Sequence, residues 1–322
     1  MVNHAAMIAA SRAPFAVALL GLLAACAETQ GVRIDFGDAR GAIEIPGLSR
    51  CWGTDDGALH LDPDKPLVVI VHGCNASQGR FRSLAAVFEA HDQQTVCFNY
   101  DDRRRMEEVA EEFAGAVRGL EPHLRNREIT VLGHSQGGLV ARRALIDSHY
   151  GRSGAGERLA VRLVTVSSPF RGIEASAHCS MTALHVVTLG VSAGLCAAIA
   201  GAKWREIHPR SEFMTQPGDL TDEVGEYVKV VTDERDTCRR VDGRGRCAED
   251  DFVFSVPEQY NEAVDGDGRV RNVEVKAGHV EIVGGESVPP RKLVEILQAN
   301  GVLARTPPDQ VAAIDALLEA LF

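Results

Sequence analysis

Leu67-Val68-Val69-Ile70-Val71 is a run of apolar, mostly β-branched residues with no polar position inside it. Such a run is too short to cross a bilayer and fits a strand covered on both faces. A sheet is covered on both faces when helices cross over it between parallel strands. The remaining sequence repeats that alternation. Segments 94–100, 129–132, 159–166, 227–231 and 270–276 read as further strands. Segments 81–91, 106–120 and 139–148 read as helices, with Val109, Phe113, Val117 and Leu120 at helical spacing in the second. The last thirty residues read as two helices, Pro307-Pro308 opening the final one.

A chain of 322 residues leaves the domain count open. Hydrophobic content of 45% and charged content of 25% supply a real core and exclude a disordered, collagen-like or polytopic membrane chain. The net charge of −11 argues against a nucleic-acid partner. Arg103-Arg104-Arg105 does not change this, because Asp101, Asp102, Glu107, Glu108, Glu111 and Glu112 surround it, as on a solvated helix face.

The N-terminus reads as a leader. Arg12 is the only basic Lys or Arg before the apolar stretch Phe15 to Ala25, which is short for a spanning helix and suits the h-region of a signal peptide. Leu23-Ala24-Ala25-Cys26 resembles a bacterial lipobox, where cleavage precedes a cysteine that carries diacylglycerol. That resemblance implies a signal peptide over 1–25, lipidation of Cys26, and attachment to the cell envelope facing the periplasm. Ala27 in place of Asp is compatible with outer-membrane sorting. Removing the leader takes away one Arg and no acid, moving the net charge to −12, so acyl chains and not charge would hold the protein on a membrane.

Seven cysteines remain after Cys26, without a C-x-x-C pair and without histidines at ligand spacing, so no metal is expected. In an oxidising compartment the expected pairs are Cys238 with Cys247, Cys179 with Cys196 and Cys51 with Cys97, the alternative being buried free thiols.

The chemistry concentrates in Gly133-His134-Ser135-Gln136-Gly137, a G-x-S-x-G between a buried strand and an apolar-periodic helix. A serine there sits on a strained turn with its hydroxyl pushed out, and a Cβ at Gly133 or Gly137 would collide with the neighbouring strand or helix. The hydroxyl needs a base, and the base needs a carboxylate to fix its tautomer. His279, directly after the last strand in Val275-Lys276-Ala277-Gly278-His279, suits the base. Asp251, opening Asp251-Phe252-Val253-Phe254, is the preferred acid, with Asp233, Asp236 and Asp250 as alternatives. An oxyanion would be met by the backbone N–H groups of Gln136 and of Cys74, the latter just after His72-Gly73.

Val71-His72-Gly73, Gly133 to Gly137, Val164-Thr165-Val166-Ser167-Ser168-Pro169, Asp251-Phe252-Val253 and Gly278-His279 stand in the order seen in lipase-like α/β-hydrolases. The chain resembles that family over about residues 66–283. The resemblance implies an α/β-hydrolase fold, a Ser-Asp-His triad and carboxylic ester hydrolysis without metal or organic cofactor. Phe170 stands where many such lipases have His, and the stretch between Asp233 and Asp251 looks inserted.

Met181 to Ala202 is 22 residues without an acid, Lys or Arg. A single crossing there would put Ser135 and His279 on opposite sides of a membrane, which the triad forbids. The stretch lies between the fourth and fifth strands, where the lipase-like hydrolases it resembles carry a lid, so a lid or cap lining an acyl pocket is expected, the alternative being a plain buried helix pair. The organisation expected is a tether with lead-in strands over 26–65, a catalytic domain over 66–290 with a cap insertion at about 171–225, and C-terminal helices over 291–322. Three functions fit: an esterase or lipase acting on acyl esters, an acyltransferase or thioesterase with the same triad, and a non-catalytic envelope lipoprotein on a hydrolase scaffold.

Overall fold

A computed structural model describes residues 42–51, 58–74, 81–151, 158–173, 202–284 and 288–322. The leader, Cys26, the Cys179 and Cys196 pair and the uncharged stretch up to residue 201 lie outside the described residues. Among those described, no helix is long and apolar enough to cross a membrane.

Strands β1 (Leu48–Ser49), β2 (Leu67–Val71), β3 (Gln94–Phe98), β4 (Glu128–His134), β5 (Ala160–Val166), β6 (Val224–Asp233) and β9 (Val270–Lys276) form one seven-stranded sheet in the order β1-β3-β2-β4-β5-β6-β9. Only β1 is antiparallel to its neighbour. β7 (Cys238–Val241) and β8 (Cys247–Asp250) make a separate hairpin in the stretch that looked inserted.

The unbroken apolar run behaves as its composition requires. Leu67, Val69 and Val71 enter one core and Val68 and Ile70 the other, because successive strand side chains face opposite ways. The first core is closed by helices α2 (Met106–Leu120) and α3 (Gln136–Ala144) through Val109, Phe113, Val117, Leu139 and Val140. The second is closed by α1 (Arg82–Glu89) and by the helix Arg291–Ala299, through Leu84, Phe88, Leu293 and Leu297. Each such side chain contributes roughly 1.5–3 kcal/mol by leaving water. Glu107 and Glu108 in the first turn of α2 and Arg118 in its last complement the helix dipole.

The parallel register aligns the carboxyl ends of the strands on one edge. Val71 of β2 lies opposite Gly133 of β4, His134 opposite Val166 of β5, and Asp233 of β6 opposite Lys276 of β9. Every segment expected to carry chemistry leaves the sheet at this edge. Between β5 and β6 the chain makes a long excursion whose two ends meet, since the Ile173 N–H donates to the Ile207 carbonyl at 3.0 Å. Two disulfides sit among the described residues: Cys51–Cys97 joins the lead-in segment to β3, and Cys238–Cys247 closes the β7–β8 hairpin. Both match the expected pairs.

Candidate active site

Ser135 sits between β4 and α3 with φ 56° and ψ −126°, a left-handed conformation that costs a non-glycine residue of order 1–3 kcal/mol. The glycines around it are dictated by space. A Cβ on Gly133 would stand 2.5 Å from the Gly137 carbonyl oxygen, and one on Gly137 would overlap the carbonyls of Val71 and His72 in and after β2. Close packing of β2, β4 and α3 therefore forces the sharp turn that presents the serine. A Cβ on Gly73 would lie 2.9 Å from that of Ser135, which places the His72-Gly73-Cys74 loop directly against the serine.

That loop is braced from behind. The His72 ring stacks on Tyr100 at 4.4 Å, the Tyr100 hydroxyl donates to the His72 carbonyl at 2.6 Å, and His72 Nδ1 donates to the Gly73 carbonyl at 3.0 Å. Burial lowers the pKa of His72, which keeps the ring neutral in this role. Cys74 is the free cysteine of the described residues and is exposed. Gln136 is the first residue of α3, where a backbone N–H has no partner within the helix.

His279 follows β9, and its ring is enclosed by the His134 ring at 4.8 Å and by the edge of Phe254 at 4.8 Å. His134 Nε2 donates to the His279 carbonyl at 2.9 Å, tying the loop after β9 to the residue before Ser135. Among the described residues no hydrogen bond joins the Ser135 hydroxyl to the imidazole, and the two share the sheet edge through this His134 contact.

The carboxylate that meets the imidazole is Glu234. Its Oε1 accepts from His279 Nδ1 at 2.9 Å, from Ser167 Oγ at 2.6 Å and from Thr232 Oγ1 at 3.0 Å. Its Oε2 accepts from the backbone N–H groups of Val253 at 2.7 Å and Phe254 at 3.1 Å. Glu234 is 1% exposed. Burial pushes its carboxyl upward, but the hydrogen bond and charge of His279, with Ser167 and the Val253 amide, outweigh it and hold the carboxyl below the usual range. An ionised carboxylate on Nδ1 fixes the proton there and leaves the other ring nitrogen as the base.

The expectation of Asp251 in this position is corrected. Asp251 is equally buried, but its Oδ1 and Oδ2 accept from the Val280 amide at 3.1 and 3.0 Å and its Oδ2 from the Glu281 amide at 2.9 Å. Its own carbonyl accepts from the His279 amide at 2.9 Å, and Arg239 Nη2 reaches its Oδ1 at 3.1 Å. Asp251 thus holds the backbone of the histidine loop and not the ring. A Cβ on Gly278 would overlap its carboxylate, which explains the glycine before His279.

The other three acids face elsewhere. Asp233 turns to Arg235 at 2.7 Å and Lys276 at 3.7 Å, Asp236 is exposed, and Asp250 accepts from the Phe252 amide at 3.0 Å. Sequence reasoning weighed only aspartates in the loop after β6 and so passed over Glu234. The available signal was parity: Thr232 and Glu234 are two residues apart, share a face as the strand runs out, and both reach Ser167 or His279.

One group of metal-ligand type occurs among the described residues, Glu107, Glu111 and His149. Glu107 is occupied by Arg143 at 2.8 Å and by His149 at 3.0 Å, so these residues serve the packing of α2 against the chain after α3. Phe170, which replaces the His of many lipases, is buried with Lys229 Nζ 5.4 Å from its ring centroid.

A family model for palmitoyl protein thioesterases matches residues 67–217, from β2 through the elbow and beyond the excursion after β5. The mature form of the Bacillus licheniformis lipase BlEst2 superposes with a TM-score of 0.52 at 16% identity, covering 80% of this chain and 98% of that one. The propeptide form of the same lipase gives a TM-score of 0.53 at 17% identity, covering 77% of this chain and 52% of that one. No curated protein matches the chain significantly. With the sheet order and elbow described above, these likenesses make the fold the α/β-hydrolase fold, of the kind that lipases, esterases and thioesterases carry.

Proposed function

We propose that the protein is a serine hydrolase of acyl esters in which Ser135 is the nucleophile, His279 the base and Glu234 the acid. The observation that carries this is the buried Glu234 carboxylate on His279 Nδ1, on a loop tied through His134 to the serine that follows it, held at φ 56°. The Ser135 oxygen attacks the ester carbonyl carbon while the imidazole takes its proton, a contact that tightens once substrate is bound. The resulting oxyanion is received by the amides of Cys74 and Gln136, the latter at the positive end of α3. Collapse expels the alkoxide, which takes the proton from His279, and leaves an acyl-serine. Water, activated by the same imidazole, attacks the acyl carbon and restores the serine. Nothing in this sequence requires a metal or organic cofactor.

The palmitoyl protein thioesterase model over residues 67–217 favours a second reading in which the leaving group is a thiolate. The catalytic residues and the acyl-enzyme are the same. The excursion after β5 is proposed as the cap over the acyl chain, within a catalytic domain over 66–290 flanked by the 26–65 tether. Cys26 is proposed as the lipid anchor that would place this site at the cell envelope.

The test uses a fluorophosphonate probe and p-nitrophenyl esters of increasing acyl length, with acyl-coenzyme A thioesters in parallel. Labelling and turnover that vanish in Ser135→Ala support the reading. A maximum at long acyl chains marks a lipase or thioesterase and a fall beyond butyrate a small-ester esterase. A chain that neither turns over these substrates nor takes up the probe refutes it. Loss of membrane association in Cys26→Ala tests the anchor separately.

A further inference from the structure

Lys203 lies in the 3-10 turn Ala202–Arg205, where the excursion after β5 rejoins the body, and it is 4% exposed. Its ammonium has three hydrogens and meets three acceptors: Gln136 Oε1 at 2.8 Å, Cys74 Sγ at 3.0 Å and Asp102 Oδ2 at 3.0 Å. Gln136 closes the ring by donating its Nε2 to the Asp102 carbonyl at 3.0 Å. The loops after β2, β3 and β4 are thereby tied to one another through a single side chain. Two of the three partners, Cys74 and Gln136, are the residues whose amides the proposed function uses for the oxyanion.

The turn that supplies Lys203 is itself fixed. The Glu206 carboxylate accepts from the Met106 amide at the start of α2 and from Arg105 Nε at 3.1 Å. Ile207 accepts from Ile173 at the other end of the excursion. Asp102 alone would neutralise the ammonium. Its further contacts to a thiol and a side-chain amide set geometry more than charge.

We infer that Lys203 is a positioning residue for the oxyanion pocket: it holds Cys74 and Gln136 at the spacing that two amides need to converge on one oxygen. The inference rests on the proposed function and adds to it a residue that the reaction scheme does not contain. Errors of about 1 Å in such a pocket cost about 100-fold in turnover, because the donors must be in place before the charge develops.

The test compares Lys203→Met, which keeps bulk and removes donors and charge, with Lys203→Arg, which keeps the charge and some donors. Turnover of a p-nitrophenyl ester is measured per fluorophosphonate-titrated serine, well below the melting temperature of each variant. Lys203→Met is expected to lower kcat about 10- to 100-fold with KM within about threefold, and Lys203→Arg to recover part of the loss. The pH profile should keep its shape, since His279 and Glu234 are untouched. Gln136→Met, which preserves the main-chain amide but removes the side-chain acceptor, should lower kcat in the same direction. It should add little to Lys203→Met in the double variant, and it carries the test alone if Lys203→Met does not fold.

Wild-type kcat per titrated site in Lys203→Met, or in Gln136→Met where that stands alone, or a loss confined to KM, overturns the inference while leaving the proposed hydrolase intact. A wild-type chain without turnover and without labelling overturns the hydrolase reading, and this inference with it.

Discussion

Glu234 Oε1 lies 2.9 Å from His279 Nδ1, and no step of the chain between them is needed to explain the pairing: one residue ends the exit from β6, the other the exit from β9, and those strands are neighbours. Glu234→Gln keeps the shape but offers an amide whose NH2 group cannot accept the Nδ1 proton. By analogy with acid-to-amide changes in serine triads, kcat should fall about 10³- to 10⁴-fold with KM nearly unchanged. Steady-state kinetics on a p-nitrophenyl ester decides it, and a loss below tenfold would remove Glu234 from the triad.

Asp251 should behave differently. Its carboxylate accepts from the amides of Val280 and Glu281 and from Arg239, so Asp251→Ala leaves buried donors unmet at the loop that carries His279. A destabilisation of about 2–4 kcal/mol is expected. Urea denaturation of Asp251→Ala and Glu234→Gln side by side should show the larger stability loss in the first and the larger loss of kcat in the second. The reverse ranking would return Asp251 to the role of triad acid.

Acid stability follows from the same carboxylate. The folded pKa of Glu234 lies below its ordinary 4.5. In the window between the two values the unfolded chain binds more protons, so this contribution is complete above about 4.5 and is lost as pH falls through the folded value. Subtracting the unfolding free energy of Glu234→Gln from that of the wild type, at several pH values from 6 to 3, should give a difference that shrinks with acidification. A flat difference would mean that the carboxylate is not held in its charged form.

Much of this was legible in the residues. The apolar run 67–71 fixed a strand with two covered faces, and the helix over 106–120 emerged with those bounds because Val109, Phe113 and Val117 face one core. Gly133 and Gly137 are constrained by contacts with α3 and β2, and that crowding is what the G-x-S-x-G spacing encodes. Of the lead-in strands expected over 26–65, the bounds and direction of β1 are not legible, since two residues running antiparallel to β3 carry no periodicity. The carboxylate that meets the imidazole escaped for another reason. Asp233, Glu234 and Asp236 lie within four residues, and parity with Thr232 singles out Glu234 only if the alternation of β6 carries on past its end at Asp233, which composition alone does not express. Lys203 was hidden further still, because its partners Cys74, Asp102 and Gln136 come from three loops distant in sequence.

The two disulfides should separate stability from catalysis. Cys51–Cys97 spans 46 residues and Cys238–Cys247 spans 9, so loop-closure entropy assigns about 4 kcal/mol to the first and about 2.5 kcal/mol to the second. The longer bridge ties the lead-in segment to β3, which carries none of the residues around His279. The shorter one closes the β7–β8 hairpin between Glu234 and Asp251, and Arg239, inside that closed loop, is the side chain that grips Asp251. Cys51→Ser with Cys97→Ser should therefore cost the more in urea denaturation while leaving kcat within about twofold. Cys238→Ser with Cys247→Ser should cost less in stability and lower kcat several-fold, because the hairpin positions the carboxylate that holds the histidine loop. Equal kcat in the two double variants would show that the hairpin closure does not reach His279.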